Sequence, residues 1–344
     1  MTQVATLPDP LEEVAPPRGR SGGAAWAIWL LRRVGLAALT MWLVSILVFL
    51  ATAALGDPVR AILGRDYDSN VARREQLEAQ LGVGDSLVTR YFDWLGGLVT
   101  GDPGTSLANQ LPVWPQVSDS VVNTLALVLL SALVMIPLAF GIAMISSHYR
   151  RKRPDTVIQT ILLALAGVPE FVTGILLVAV FSTSVFHIFP AVTISTPGGH
   201  PWDEPKGMVL PTLTLVIAVT PYVSRIVRAT LLEVLDSDYV ELARLKGIPE
   251  TVVMRKHALL NALVPGIQVI ALQLAWLAGG VVLVETLFAY PGVGKQLVDS
   301  VRNHDVPMVQ ALSMIIAGVY IVVNLVADVL SILLTPRART AISS

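Results

Sequence analysis

The chain has 344 residues, of which 54% are hydrophobic and only 14% are charged. Because soluble domains carry about 25% charged residues, this composition indicates an integral membrane protein. The formal net charge of −1 excludes a dominant electrostatic attraction to nucleic acid. The absence of cysteine excludes disulfides, thiolate metal sites and a cysteine nucleophile.

The amino-terminal part of the chain divides into a polar segment and an apolar one. Residues 1–28 are proline-rich and mixed in charge, which predicts a disordered segment. Residues 29–55 are predicted to form the first transmembrane helix, since about 20 apolar residues suffice to cross a bilayer. This segment is too long for a secretory signal peptide, and no small-residue cleavage site follows it.

A polar loop with short helices is predicted over 56–119. Asn70 is expected to cap a helix over 71–81, and Ser86 is expected to cap a second helix. The second helix carries an apolar stripe, which favours a packing surface over a binding site. The stripe consists of Leu87, Tyr91, Trp94, Leu95 and Leu98.

Five further apolar segments predict an all-α integral membrane protein with six transmembrane helices. They lie at about 120–146, 156–182, 208–228, 264–286 and 309–334. The five helices form a core over 120–336, and residues 337–344 form a tail. Pro137 and Gly141 are expected to bend the second span. Arg225 and Arg228 are expected to end the fourth.

The placement of Lys and Arg predicts the orientation of the chain. Sixteen of these residues lie in the segments assigned to the cytoplasm and eight in the segments assigned outside. Five of the eight lie in the long first loop, where the bias counts for little. Both termini and a loop over 229–263 are therefore predicted to be cytoplasmic, and the helical loop after the first span to be extracytoplasmic.

The cytoplasmic loop contains the signals of a short helix. Asp238 is predicted to be its N-cap, with Glu241 completing a capping box. Gly247 fits the left-handed position after the helix, and Pro249 cannot continue it. Because a helix of about eight residues is unstable alone in water, it must pack either on the membrane interface or on a soluble partner.

No sequence pattern for catalysis or nucleotide binding is recognisable. The segment around Gly294 and Lys295 fails as a phosphate-binding loop, because it lacks the first glycine and a following Ser or Thr. The five histidines are scattered rather than spaced like metal ligands. We therefore expect no bound cofactor and no enzymatic activity in this chain, and energy for uphill transport from a gradient or another subunit.

Glu170 is the most informative ionisable residue, because it is predicted near the middle of the third span, after Pro169. A carboxylate there costs about 2–3 kcal/mol, so it should face the helix bundle or a water-filled path. It either lines the substrate route and favours a cationic part of the cargo, or holds helices together. Glu285 and Asp328 lie near span ends, and Asp328 is interpreted as structural.

Several motifs resemble, in order, the oligopeptide/dipeptide permeases of ABC importers. Glu241, Leu242 and Ala243, with Gly247 following, are similar to the EAA loop of these permeases, although Leu242 replaces an alanine. The similarity continues to His257, Asn261 and Pro265. Further matching segments lie at 56–59, 91–97, 101–106 and 285–294. Pro103 departs from the family, which usually has a large apolar residue there.

The resemblance implies a permease subunit with the type I ABC importer fold in the bacterial plasma membrane. Such a subunit moves peptides or peptide-like solutes inward by alternating access. Its implied partners are a second permease, two cytoplasmic ATPase subunits that bind ATP and Mg²⁺, an external substrate-binding protein and the lipid bilayer, with no nucleic acid. The implied ATPase-docking coupling helix comprises Asp238, Tyr239, Val240, Glu241, Leu242, Ala243, Arg244, Leu245, Lys246 and Gly247.

Two other classes of protein compete with this interpretation. A stand-alone secondary transporter or channel would show ionisable residues in several spans and two inverted halves. A membrane-embedded hydrolase would need paired acids or a Ser/His set near one membrane face. The sequence shows one mid-span carboxylate and no clear repeat, which favours the importer.

Overall fold

The computed structural model describes residues 22–54, 67–80, 86–194, 199–254 and 281–334, with short pieces at 59, 63, 259, 266, 269–270 and 272–273. Apart from an isolated bridge between Thr105 and Pro112, the regular elements in these ranges are helical. The main helices are α1 (Gly22–Ala54), α2 (Val71–Gln80), α3 (Leu87–Thr100), α4 (Val113–His148), α5 (Arg153–Ala166), α6 (Glu170–Val178), α7 (Lys206–Leu235), α8 (Asp238–Leu245), α9 (Val293–Arg302) and α10 (Val306–Leu334). Shorter helical pieces are a π-helical turn at Ala179–Ser184, a 3₁₀ turn at Pro201–Asp203, a turn at Glu250–Val252 and the helical residues 281–287.

Within the described ranges, four helices are long and apolar enough to cross a bilayer, namely α1, α4, α7 and α10. The α5 and α6 helices meet this criterion together, which raises the count to five if the pair is one span. The predicted fifth span over 264–286 lies largely outside the described residues. The all-helical class agrees with the sequence prediction.

The core of the protein lies between α4 and α7. Leu127 and Met135 of α4 are fully buried, as are Leu215 and Leu231 of α7. Helices α5 and α6 also pack on α7, whereas α1 packs on α10. As a result α7 is the most buried of the four long helices.

Three helices extend further than the sequence predicted. The first begins at Gly22, so residues 22–28 are helical rather than disordered, and α4 begins at Val113 rather than at 120. Helix α7 does not end at Arg225 and Arg228 but continues to Leu235. It continues because apolar residues at four-residue spacing, through Leu231 and Leu235, keep packing on the core beyond the apolar run.

The predicted third span is broken rather than continuous. Helix α5 is capped by Gly167, α6 starts behind Pro169, and the two helices are bent by 98°. Proline has no N–H to donate and pushes the residue before it, Val168, out of the helical conformation. Glu170 is therefore the first residue of a new helix instead of lying mid-helix.

The short helices after α1 agree with the prediction where they are described. The Asn70 Oδ1 accepts from the Arg73 N–H at 3.1 Å, and the Ser86 Oγ accepts from the Thr89 N–H at 3.2 Å. Part of the apolar stripe of α3 packs on α1, as predicted for a packing surface, whereas Leu87 of the stripe is exposed. Tyr91 and Trp94 lie against Phe49, with ring centroids 5.4 Å and 5.8 Å away.

Candidate functional site: the α8 helix and its anchors

The α8 helix begins at Asp238. The sequence predicted Asp238 as the N-cap, which would have made Tyr239 the first helical residue. Its N-cap is Ser237, which has an extended backbone conformation (φ −81°, ψ 149°) and makes no side-chain cap. The Ser237 hydroxyl instead donates to the Val234 carbonyl. The predicted capping box is therefore wrong. Asp238 and Glu241 lie in the first turn, where carboxylates interact favourably with the helix dipole.

The end of α8 has the geometry that the sequence predicted. Gly247 has a left-handed backbone conformation with φ +75°. Its N–H donates to the Arg244 carbonyl at 2.9 Å, and the Ile248 N–H donates to the Ala243 carbonyl at 3.2 Å. These two bonds form a Schellman motif, which closes the helix and turns the chain sharply.

One face of α8 is anchored in the core. Val240 is fully buried and Ala243 is 7% exposed, and both belong to the apolar cluster of α4 and α7. The outer surface carries Tyr239, Leu242 and Leu245, which are 44%, 52% and 79% exposed. Because large apolar side chains rarely cluster on the exposed surface of a polar loop, this outer face has the character of an interaction site.

Ion pairs fix α8 to the segments on either side. The Arg244 guanidinium donates to the Glu250 carboxylate through Nε (3.0 Å) and Nη2 (2.7 Å), and through Nη1 to the Leu235 carbonyl (3.3 Å). These hydrogen bonds lower the pKa of Glu250 and raise that of Arg244. Just before α8, Arg150 pairs with Asp236 at 2.6 Å and lowers the pKa of that carboxyl.

A second anchor joins the neighbouring ends of α4, α5 and α7. Asp155 is 6% exposed and accepts from Arg228 at 3.0 Å and 2.7 Å, and from the Ser146 hydroxyl at 2.6 Å. Gln159 donates to the same hydroxyl at 2.9 Å. Sequence reasoning missed this cluster, and its only signal was an acidic residue two positions after a run of four basic ones.

Three other acidic residues singled out in the sequence lie elsewhere, and one of them, Asp328 of α10, pairs with Arg33 of α1 at 2.7 Å. Glu285 is completely buried and accepts from the Thr124 hydroxyl (2.6 Å) and from the N–H groups of Gly294 (2.7 Å) and Lys295 (3.2 Å). It thereby caps the start of α9, a role that the motif did not reveal. Glu170 is half-buried in the first turn of α6, which packs on α7.

Some residues of the predicted motifs fall outside the described part of the chain. These are His257, Asn261 and Pro265 after α8, and residues 56–58 after α1. In the described ranges, no three His, Asp or Glu side chains are grouped so that they could hold a metal ion.

Comparison with known proteins decides the family. Residues 135–340 match the binding-protein-dependent transport system inner membrane component, and residues 27–128 match the amino-terminal part of such membrane components. The chain belongs to this family. It is therefore the membrane permease subunit of an ABC importer, a transport component rather than a catalytic one.

Similar permeases are known from several bacteria. The glutathione transport system permease protein GsiC of Escherichia coli K12 is 35% identical over 301 residues, which cover 87% of this chain and 95% of that protein. GsiC of Shigella dysenteriae serotype 1 matches to the same extent. The crystal structure of an amino acid ABC transporter with histidines has a TM-score of 0.45 and 17% identity, and covers 66% of this permease and 94% of that chain.

Proposed function

We propose that this permease carries peptides or peptide-like solutes into the cytoplasm and that α8 is its ATPase-docking coupling helix. The observation that carries the proposal is the two-sided construction of α8. Val240 and Ala243 hold it to the core, while Tyr239, Leu242 and Leu245 leave an apolar face exposed. A short helix can transmit movement from an ATPase subunit to the permease core only if one face contacts the ATPase and the other contacts the core.

The proposed mechanism uses α8 as a rigid lever. ATP and Mg²⁺ bind to two cytoplasmic ATPase subunits, and closure of that pair moves α8. The movement passes to α7 because Arg244 bonds the Leu235 carbonyl at the end of α7 and Val240 packs beneath it. The core then alternates between inward-open and outward-open states, and no chemical step occurs in this chain.

The proposed topology has six spans in the bacterial plasma membrane. The bent α5–α6 pair counts as the third span and the segment 264–286 as the fifth. Both termini and the loop 229–263 face the cytoplasm, and the helical loop 56–119 faces outward. The proposed partners are a second permease, the two ATPases and an external substrate-binding protein that delivers cargo.

The cargo assignment is supported by the relatives and by the sequence motifs. Relatives at 35% identity are named as permeases for glutathione, which is a tripeptide. We propose a short peptide or peptide-like solute for this chain as well. Glu170 remains a proposed lining residue for a cationic part of the cargo. Its position in the first turn of α6, where a carboxylate is favourable, equally supports a structural role.

The test is affinity purification of the tagged chain from its native membrane, with every co-purifying protein identified. We expect two ATPases or two copies of one, a second permease and an external binding protein. Recovery of the chain alone, or as a homo-oligomer that still transports, would overturn the proposed partners and the docking role of α8.

A matched pair of variants tests α8 itself. Leu245→Asp places a charge on the exposed face and should release the ATPases while the second permease stays bound, because this side chain contributes little to the core. Lys152→Ala, at an exposed position in the turn between α4 and α5, serves as the control and should retain them. Equal recovery of the ATPases with both variants would contradict docking through this face.

A further inference from the structure

A polar cavity of about 520 Å³ lies between α5 and α7, and the transport mechanism above does not use it. Its size falls within the range of small-molecule sites, roughly 300–1,000 Å³. The polar side chains that line it are Gln159, Tyr222, Arg225, Arg228, Thr230 and Glu233. All but Gln159 belong to α7.

The cavity follows one stripe of α7. Tyr222, Arg225, Ala229 and Glu233 recur at spacings of three and four, which places them on the same side of a helix. Arg225 lies ten residues before the end of α7 at Leu235, or about 15 Å along the axis. The proposed cytoplasmic loop begins at residue 229, so Arg225 lies about 6 Å inside the cytoplasmic end of the span and Glu233 lies beyond it. A charged side chain so placed is expected to face water or another polar surface rather than lipid.

The two arginines of the cavity differ in how they are neutralised. Arg228 is held in two hydrogen bonds by Asp155. Within the described residues, Arg225 forms no hydrogen bond or ion pair, and neither does Glu233. Both are exposed to the cavity. The cavity therefore presents one uncompensated cation and one uncompensated anion, with Glu233 nearer the end of α7.

The separation of these charges matches a particular kind of ligand. Eight residues of helix place Arg225 and Glu233 about 12 Å apart along α7. An extended peptide spans about 3.3–3.6 Å per residue, so the terminal charges of a tripeptide lie about 10 Å apart. We propose that this cavity binds a short zwitterionic peptide, with its carboxylate on Arg225 and its ammonium on Glu233. This inference rests on the proposed peptide import and assigns a cargo site within it.

The chemistry of the lining supports this orientation of the peptide. A guanidinium offers a planar fork of donors that matches a carboxylate in two parallel hydrogen bonds. The Tyr222 side chain is 52% exposed beside Arg225 and provides a further hydroxyl and an aromatic face. The proposed site binds both termini of the peptide and does not select among its side chains, which suits a carrier of varied short peptides.

The natural absence of cysteine makes the site directly measurable. Ala229→Cys, and separately Thr230→Cys, would introduce a single thiol into the cavity of the assembled, nucleotide-free transporter in phosphatidylcholine nanodiscs, without its binding protein. The measurement is the rate of thiol modification by a small methanethiosulfonate reagent. The probes are trialanine, trialanine amide and N-acetyltrialanine.

We expect trialanine to slow the modification of the thiol. Each blocked peptide should need about tenfold higher concentration for equal protection, because it lacks one terminal charge and therefore one charge-assisted hydrogen bond. Arg225→Gln should abolish the distinction between trialanine and its amide. Glu233→Gln should abolish the distinction between trialanine and the N-acetyl form. Arg153→Gln, which removes an exposed cation at the start of α5, is the control and should preserve both distinctions.

Three results would overturn the inference. One is equal protection by trialanine and both blocked peptides. Another is protection by phosphatidylglycerol in the nanodisc but not by trialanine, which would assign Arg225 to a lipid phosphate. The third is failure of both thiols to react, which would mean that the cavity is closed in the complex. Each is separable from the proposed function, because ATPase co-purification is measured independently.

Discussion

Arg244 and Glu250 are joined by two parallel hydrogen bonds of 3.0 Å and 2.7 Å, which close the turn behind α8. Their side chains are 40% and 45% exposed, so the pair contributes at most about 1 kcal/mol. Its importance is geometric. Arg244 also bonds the carbonyl of Leu235, and thereby connects the end of α7, the short helix and the turn after it.

The first prediction concerns the pH dependence of this pair. The pKa of Glu250 lies below its usual 4.5, first because Arg244 donates hydrogen bonds to the ionised form. A lowered folded-state pKa means that the stabilisation is complete above about pH 4.5 and is lost as the pH falls through the lowered value. Amide hydrogen exchange of α8, compared between wild type and Glu250→Gln, should differ by a constant factor from neutral pH down to about pH 5.

That difference should shrink only at lower pH. A decline between neutral pH and about pH 5 would contradict the assignment, because it would require a group with a higher pKa. His148 also lowers the pKa of Glu250 through its charge, but less than Arg244 does. A His148→Gln variant distinguishes the two, since it should leave the exchange difference unchanged if the Arg244 pair controls it.

The second prediction concerns the exit from α8. Gly247 needs a positive φ, and an added Cβ would meet open space, so substitutions act through backbone conformation rather than through a clash. Gly247→Val should uncouple ATP hydrolysis from uptake, because the Schellman turn cannot form without strain. Gly247→Asn is the control, since Asn tolerates the left-handed region. The ratio of peptide imported to ATP hydrolysed, measured in proteoliposomes, would refute the lever if it stayed at the wild-type value in Gly247→Val.

The third prediction concerns the buried carboxylate of Glu285. Glu285→Ala should lower the thermal stability of the detergent-purified complex, because one buried donor and two partly buried donors lose their acceptor, at about 1–3 kcal/mol for the buried one. Gly292→Ala should do the same, since its Cβ would overlap the Glu285 carboxylate. Gly96→Ala is the matched control, because nothing lies within 4 Å of its Cβ. Unchanged melting of Gly292→Ala would show that α9 does not depend on this cap.

Local signals in the sequence correctly predicted the length of α8 and its end at Gly247. The caps of α2 at Asn70 and of α3 at Ser86 were predicted in the same way, because each depends on a few consecutive residues. The N-cap was placed one residue late because Ser237 and Asp238 are both good caps by composition. Only the backbone conformation of Ser237, with its hydroxyl turned to the Val234 carbonyl, decides between them.

The sequence of the third span contains Gly167 and Pro169, which can interrupt a helix, but it does not give the angle of the bend. The apolar run continues through 167–169, so hydropathy alone predicts one span, and proline in a membrane helix can produce either a kink or a break. Packing of α5 and α6 separately against α7 decides in favour of a 98° bend. Glu170 consequently changes from a mid-helix carboxylate to one at a helix start.

Contacts between distant segments could not be predicted. Thr124 meets Glu285 across 161 positions, and Asp155 meets Arg228 across 73. The sequence contains these residues without any spacing that connects them. The cavity beside Arg225 was missed for a related reason, because Arg225 was read as the end of a span rather than as a charge inside a longer helix.

The fourth prediction concerns Asp155 and Arg228. Arg228→Met leaves a buried carboxylate without its partner, which costs about 3 kcal/mol or more and should lower the melting temperature of the complex clearly. Asp155→Leu should also destabilise it by stranding the cation. The double variant should melt closer to wild type than the sum of the two single effects, because no uncompensated charge remains.

A comparison of stability with transport separates two roles for this pair. If Asp155 and Arg228 only hold α5 on α7, each folded complex of the double variant should transport peptide at the wild-type rate. If the pair also positions the cavity beside Arg225, the double variant should fold but lose protection by trialanine in the thiol assay. Strictly additive melting shifts would contradict the ion pair itself, since additivity is expected only of side chains that do not interact.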